Sequence, residues 1–99
     1  MKIFFTPEAD QQADDCDAWW RENRPASRDL FARELAEAKG LVLNVPDIGS
    51  LYTMLDGQPV RRVLMKKTHH HLYYAVEADR DCIIVHSVWG APKEQGPKL

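Results

Sequence analysis

The sequence predicts an α+β fold: a two-helix antiparallel hairpin packed on one face of a mostly antiparallel β-sheet, in the order βααβββ. Three observations predict it. Between residues 7 and 43, apolar residues recur at spacings of three and four, which is the helical period. From Val60 to Ala91, short runs rich in β-branched and aromatic residues are separated by charged breaks, as in consecutive antiparallel strands. Helices grouped ahead of strands argue α+β rather than an interleaved parallel sheet.

Lys2 to Phe5 reads as a short strand with Ile3 and Phe4 on opposite faces, so at most one face is deep core. Thr6-Pro7-Glu8 reads as a helix start. Thr6 can cap, Pro7 suits the first turn, and Glu8 and Asp10 favour the positive end of the helix dipole. The helix should run to Asn23, with Ala9, Ala13, Cys16 and Trp20 forming its apolar stripe. Arg24-Pro25 breaks it. Ser27 is the expected cap of a second helix running to about Leu43, with Leu30 or Phe31, Leu35, Ala38 and Val42 as its stripe. Gly40 costs that helix about 1 kcal/mol relative to alanine and predicts a loose or early end.

Asn44 to Gln58 reads as a loop with a short extended piece at Leu51 to Met54, and Asp56-Gly57 is a turn signal. Pro59 allows a strand from Val60 onward. Lys66-Lys67-Thr68 turns into a second strand, along which Leu72, Tyr74 and Val76 oppose His71, Tyr73 and Ala75. Glu77 to Asp81 is a charged turn. Cys82 to Val88 is nearly all apolar, as for a strand central to the sheet or covered on both faces. The tail from Pro92 predicts little regular structure. Leu72, Tyr74, Ile84 and the helix stripes are the expected core.

A chain of 99 residues is expected to form one domain, residues 1–99, that buries roughly 60–70% of its unfolded surface. The net charge of −2 argues against a non-specific electrostatic grip on nucleic acid by the whole molecule. Charge is uneven, however. Residues 1–40 carry nine acids and six bases, whereas residues 41–99 carry six acids, seven bases and all four histidines, so the sheet half is the positive side. Cys16 and Cys82 are far apart and form no CxxC, which suits a reducing cytoplasm, and both read as small buried hydrophobes. The apolar run Ile3 to Phe5 is too short for a signal peptide or membrane span, and no membrane association is expected.

Several pieces, in this order and spacing, carry a family resemblance across nearly the whole chain. They are the Asn23-Arg24-Pro25 break after a tryptophan-bearing first helix, VRRVLMKKT (60–68), HLYYAV (71–76), and VWGA (88–91) followed by Gly96-Pro97. Together they resemble the RelE/ParE superfamily of toxins from bacterial type II toxin–antitoxin modules, closer to the ParE type. The resemblance implies a RelE/ParE-like fold, no cofactor, and inactivation by a cognate antitoxin that usually also binds operator DNA. It leaves two mechanisms open. RelE-type members cut messenger RNA on the ribosome; ParE-type members poison DNA gyrase and are not nucleases.

Metal-free RNA cleavage needs a base for the 2′-hydroxyl, an acid for the leaving oxygen, and positive charge for the phosphorane-like transition state. Set against the RelE-type pattern, Arg62 matches one basic strand position, but Leu64 stands where a second lysine is expected. His71 stands in place of an arginine, and Ala91 occupies the position of an arginine past the last strand, with Lys93 nearby. No tyrosine or histidine follows Trp89. The thinned set favours a gyrase-binding, non-enzymatic toxin over a ribosome-dependent endoribonuclease. A degenerate, non-toxic member is a third reading.

If the chain is a nuclease, the catalytic candidates are Arg62, His69, His71, His86 and Lys93. His69 and His71 would share a strand face by period two, and with His86 would be a conceivable metal trio; the bland reading is a polar strand start, with no metal bound. The partner-binding candidates are Trp19, Arg61, Lys66, Lys67, Tyr73 and Trp89. Trp20 fits the core stripe and leaves Trp19 lateral. Arg61 and Arg62 point to opposite faces. Lys66 and Lys67 sit in a solvated turn or a basic rim. Tyr74 is the expected core tyrosine and Tyr73 the surface one, while Trp89 closes the last strand.

Overall fold

Thr6 caps the first helix as its position predicts: its hydroxyl accepts the Ala9 amide at 3.1 Å. The helix, α1, spans Pro7–Asn23. The computed structural model, which describes residues 1–90 and 96–99, places strand β1 (Lys2–Phe5) before it and helix α2 (Leu30–Asn44) after it. Four further strands follow: β2 (Ser50–Leu55), β3 (Gln58–Met65), β4 (His70–Glu77) and β5 (Cys82–Gly90). They form one five-stranded sheet in the order β1-β5-β4-β3-β2, with β1 parallel to β5 and every other pairing antiparallel. The two helices cover one face, so the fold is α+β as expected.

The extended piece expected at Leu51 to Met54 is a full edge strand, raising the count after the helices from three to four. Its hairpin with β3 closes through Asp56 (φ 51°) and Gly57 (φ 79°), two consecutive left-handed residues as in a type I′ turn. Pro59 lies inside β3 rather than before it. The chain tolerates it there because β3 begins pairing with β4 only at Arg61, so that end of the strand is locally an edge. Ser27 does not cap α2; it closes a 3₁₀ turn over Pro25–Ser27, and α2 begins at Leu30, after Asp29. Nor does Gly40 end α2 early. Among the described residues, nothing beyond its chain neighbours and the helix's own backbone lies within 4 Å of where its Cβ would be, and the buried Phe31, Ala38 and Val42 hold the helix through to Asn44.

The main core lies between the helices and the sheet. Ala9, Ala13, Phe31, Ala38 and Val42 meet Val63, Met65, Leu72, Tyr74, Ile83, Val85 and Val88. Phe31, not Leu30, leads the α2 stripe. Ile83, Val85 and Val88, not Ile84, supply the β5 contribution, because the register pairs Ile84 with Ala75 of the opposite face. An unbroken apolar run has no alternation from which to read that parity. Ile3 packs on this core while Phe4, on the other side of the edge strand, is 52% exposed.

Two polar anchors tie the layers together. On β5 the register with β4 shifts so that Tyr73 opposes Ser87 and Tyr74 opposes Val85, leaving His86 as the extra residue of a bulge. Gln12 of α1 serves this stretch: its Oε1 accepts Ser87 Oγ at 2.9 Å and the Val88 amide at 2.8 Å. On α2, Glu34 sits inside the apolar stripe and is buried. Its carboxylate accepts the Lys67 amide (2.8 Å), the Thr68 amide (2.9 Å) and the Thr68 hydroxyl (2.6 Å), fixing the β3–β4 turn.

Candidate functional site

The sheet face away from the helices collects most of the chemistry anticipated from the sequence. Period-two alternation puts Val60, Arg62 and Leu64 of β3 and His71, Tyr73 and Ala75 of β4 on this face. Val60, Tyr73 and Ala75 form a second small core against Tyr52, Leu55 and Trp89. Tyr73 is therefore only 1% exposed, not a surface residue as expected. Its ring meets that of Tyr52 edge-on at 4.7 Å, an arrangement the sequence reading did not foresee. Tyr52 Oη in turn donates to the Pro97 carbonyl at 3.0 Å, so the C-terminal residues run back against this face. A Cβ on Gly96 would collide with the Tyr52 ring and hydroxyl, so that approach needs glycine.

Arg62 lies across this surface with its guanidinium 5.4 Å from the Tyr52 ring centroid, within cation–π range. His71 stands close by, its ring 5.9 Å from that of Tyr73. Burial lowers its pKa below the usual histidine value, and the positive charges of Arg62 and His70 lower it further. Near neutral pH, His71 is accordingly a neutral imidazole beside a guanidinium, set among Tyr52, Leu64, Tyr73 and Trp89. Leu64 is 48% exposed.

The other candidates lie elsewhere. Arg61 points to the helix side, where its Nη1 donates to the Gly49 carbonyl at 2.9 Å. Tyr74 Oη completes that corner by accepting the Gly49 amide at 3.0 Å and donating to the Pro46 carbonyl at 2.7 Å. Lys66 and Lys67 are exposed in the β3–β4 turn. His69 is in that turn too, with φ 58°, rather than on the strand, so it does not share a face with His71. His86 sits at the β5 bulge; burial lowers its pKa, and nearby Glu77 opposes the shift. The three histidines are thus not brought together, and no cluster of three or more His, Cys, Asp or Glu side chains suited to a metal occurs among the described residues. Lys93 lies outside the described residues.

Trp19 is 48% exposed on α1, its ring edge-on to Trp20 at 5.8 Å and 5.3 Å from the Arg24 guanidinium. It borders a groove of about 690 Å³ between α1 and the ends of β4 and β5, where Cys16 and His70 also lie. Cys16 is half-buried rather than a closed core residue, and Sγ is 3.3 Å from His70 Nε2. Sequence reading passed over both Glu34 and this pair. An acid in an apolar helical stripe was a usable signal for Glu34; the Cys16–His70 meeting, 54 residues apart, had none.

Comparison with known proteins accords with this architecture. The crystal structure of the isolated E. coli RelE toxin superposes with a TM-score of 0.56 at 22% identity, covering 94% of this chain and 86% of that one. The E. coli RelBE toxin–antitoxin complex matches with a TM-score of 0.56 at 22% identity, covering 92% of this chain and 96% of that one. At that identity the likeness speaks for the fold. No curated protein sequence matches significantly. No helix among the described residues is long and apolar enough to cross a membrane. A family model for the ParE toxin of the parDE type II toxin–antitoxin system matches residues 3–91. With every helix and strand inside that match except the first residue of β1, the chain belongs to the ParE toxin family of type II toxin–antitoxin systems.

Proposed function

We propose that this toxin is held inactive by a cognate, DNA-binding antitoxin and, once released in the cytoplasm, acts by binding and poisoning DNA gyrase rather than by cutting RNA. The observation that carries the proposal is the make-up of the open sheet face. Arg62 is set among aromatic and aliphatic side chains, with Leu64 exposed two residues along and Tyr73 buried. Arginine and large aromatic groups on an apolar ground are what a protein-binding hot spot uses. Phosphoryl transfer to a 2′-hydroxyl calls for clustered cations and a separate acid and base. Here His69 sits in the β3–β4 turn and His86 at the β5 bulge beside Leu55 and Ala75.

One observation favours the ribosome-dependent endoribonuclease instead. Arg62 and His71 are neighbours, and a neutral imidazole beside a guanidinium is a minimal base with charge stabilisation. The test runs both readings in parallel. The toxin is expressed without antitoxin, and purified protein is assayed for inhibition of gyrase supercoiling and for cleavage of ribosome-bound mRNA. Growth arrest with gyrase inhibition and intact mRNA supports the proposal. mRNA cleavage abolished by Arg62→Ala or His71→Ala overturns it in favour of the nuclease. Normal growth with soluble protein points to a degenerate, non-toxic member.

A further inference from the structure

We propose that Cys16 and His70 form a reactive thiol–imidazole pair, a modification site that undergoes thiol–disulfide exchange with small anionic disulfides in the groove beside α1. This site is separate from the sheet face and stands whichever target the toxin has.

The hydrogen bonds fix its chemistry. His70 Nδ1 lies 2.8 Å from the Thr68 carbonyl, which can only accept, so Nδ1 carries a proton and donates. In the neutral ring, Nε2 then holds the lone pair, and it faces Cys16 Sγ at 3.3 Å. The thiol proton is thus shared with a base whose tautomer is set by a third group, the arrangement of an activated nucleophile. The ring is held in place. Phe31 packs edge-on against it at 5.3 Å, and Thr68 is tied down by the Glu34 carboxylate through its amide and hydroxyl. Glu34, Thr68, His70 and Cys16 form a continuous chain from the core to the groove.

The groove determines what can reach the sulfur. Trp19, Trp20 and Trp89 give it apolar walls, and Arg24 and Lys67 add positive charge against the single acid Asp15 among its described lining residues. That combination suits a disulfide whose substituents are anionic and partly apolar. In the reaction, the Cys16 proton passes to His70 Nε2 and the sulfur attacks one sulfur of the disulfide. The disulfide S–S bond breaks as the mixed disulfide on Cys16 forms. The leaving thiolate departs, and the imidazolium gives its proton to that thiolate or, where the thiolate is a weak base, to water. The incoming disulfide is the oxidant, and no other redox partner is required. Cys82, buried at 6% exposure on β5, is an internal control within the same chain.

The test uses the full chain with 5,5′-dithiobis(2-nitrobenzoate), an aromatic dicarboxylate disulfide, and with oxidised glutathione. Released thiolate is followed with time, and the adduct is mapped by mass spectrometry. Cys16 in the folded protein is expected to react about tenfold faster at pH 7 than the same cysteine in the urea-unfolded chain, with the adduct on Cys16 and not Cys82. His70→Gln keeps a donor for Thr68 but loses the base. It should slow Cys16 at pH 7 and recover towards wild type near pH 9, where the thiol ionises unaided. Cys16→Ser should abolish the fast phase. Equal rates for folded and unfolded chain overturn the proposal even if His70→Gln does not fold. So does a folded His70→Gln variant with an unchanged pH profile, or an adduct on Cys82.

Discussion

Replacing Glu34 by alanine tests the least expected feature of the fold. The carboxylate is 8% exposed and accepts three hydrogen bonds from the β3–β4 turn. Removing it strands the amide and hydroxyl of Thr68, itself 4% exposed; the Lys67 amide belongs to an exposed residue that water can reach. A buried donor left without a partner costs about 1–3 kcal/mol. Two such donors sum to roughly 2–6 kcal/mol, and entry of water into the space brings the expected destabilisation to the lower part of that range, about 2–4 kcal/mol. In a chain of this size each kcal/mol shifts Tm by about 4–8 °C, so a fall of roughly 8–32 °C is expected. Urea and thermal denaturation followed by circular dichroism measure it. Acid provides an independent check. Burial raises the Glu34 pKa, but the Thr68 hydroxyl, the two amides and the Lys67 charge outweigh it, so the folded value lies below the usual 4.5. A depressed carboxylate contributes stability that is present above its unfolded pKa and lost as pH falls through the folded one. Wild type should therefore lose stability below about pH 4.5 more steeply than Glu34→Gln, which cannot titrate there. A Glu34→Ala midpoint within error of wild type would falsify the assignment of Glu34 as the anchor of the turn.

Tyr74→Phe removes the hydroxyl that joins Gly49 to Pro46 and should cost about 1–3 kcal/mol in urea denaturation, because the Gly49 amide is buried. The two glycine-to-alanine changes should have opposite signs. At Gly49 an added Cβ would lie 2.9 Å from the Arg62 carbonyl and 2.8 Å from Tyr74 Oη, costing about 1–3 kcal/mol, whereas at exposed Gly40 alanine should stabilise by about 0.5–1 kcal/mol. His71 and His86 both have pKa values lowered by burial, so the unfolded chain binds more protons as pH falls through 6.5. Stability should decline from about pH 7 towards the lower folded values, and His71→Gln should flatten that decline; an unchanged slope in urea titrations at several pH values would refute it.

Local chemistry was readable from the chain alone. The Thr6-Pro7-Glu8 start, the stripe from Ala9 to Trp20 and the Asp56-Gly57 turn depend on residues a few positions apart, and each formed where it was expected. The family, too, was legible in the order of short motifs. What failed had non-local causes. Ser27 has a good cap side chain, but the Pro25 turn delays the helix past it. The parity of Cys82 to Val88 is invisible without the partner strand, and the bulge at His86 changes it midway. Tyr73 alternates as a surface residue should, yet Tyr52 and Trp89, from strands on either side in the fold, close over it.

Both helices, the strands other than β2, the α+β class and the family were legible in the chain, because helical and strand periods and short motifs are written in neighbouring residues. Tertiary packing alone brings β1 alongside β5 in parallel, makes Glu34 an anchor, puts Arg62 and His71 on the same open face, and turns Cys16 towards His70. Those meetings depend on strand register and helix placement, which burial of the whole core sets at once.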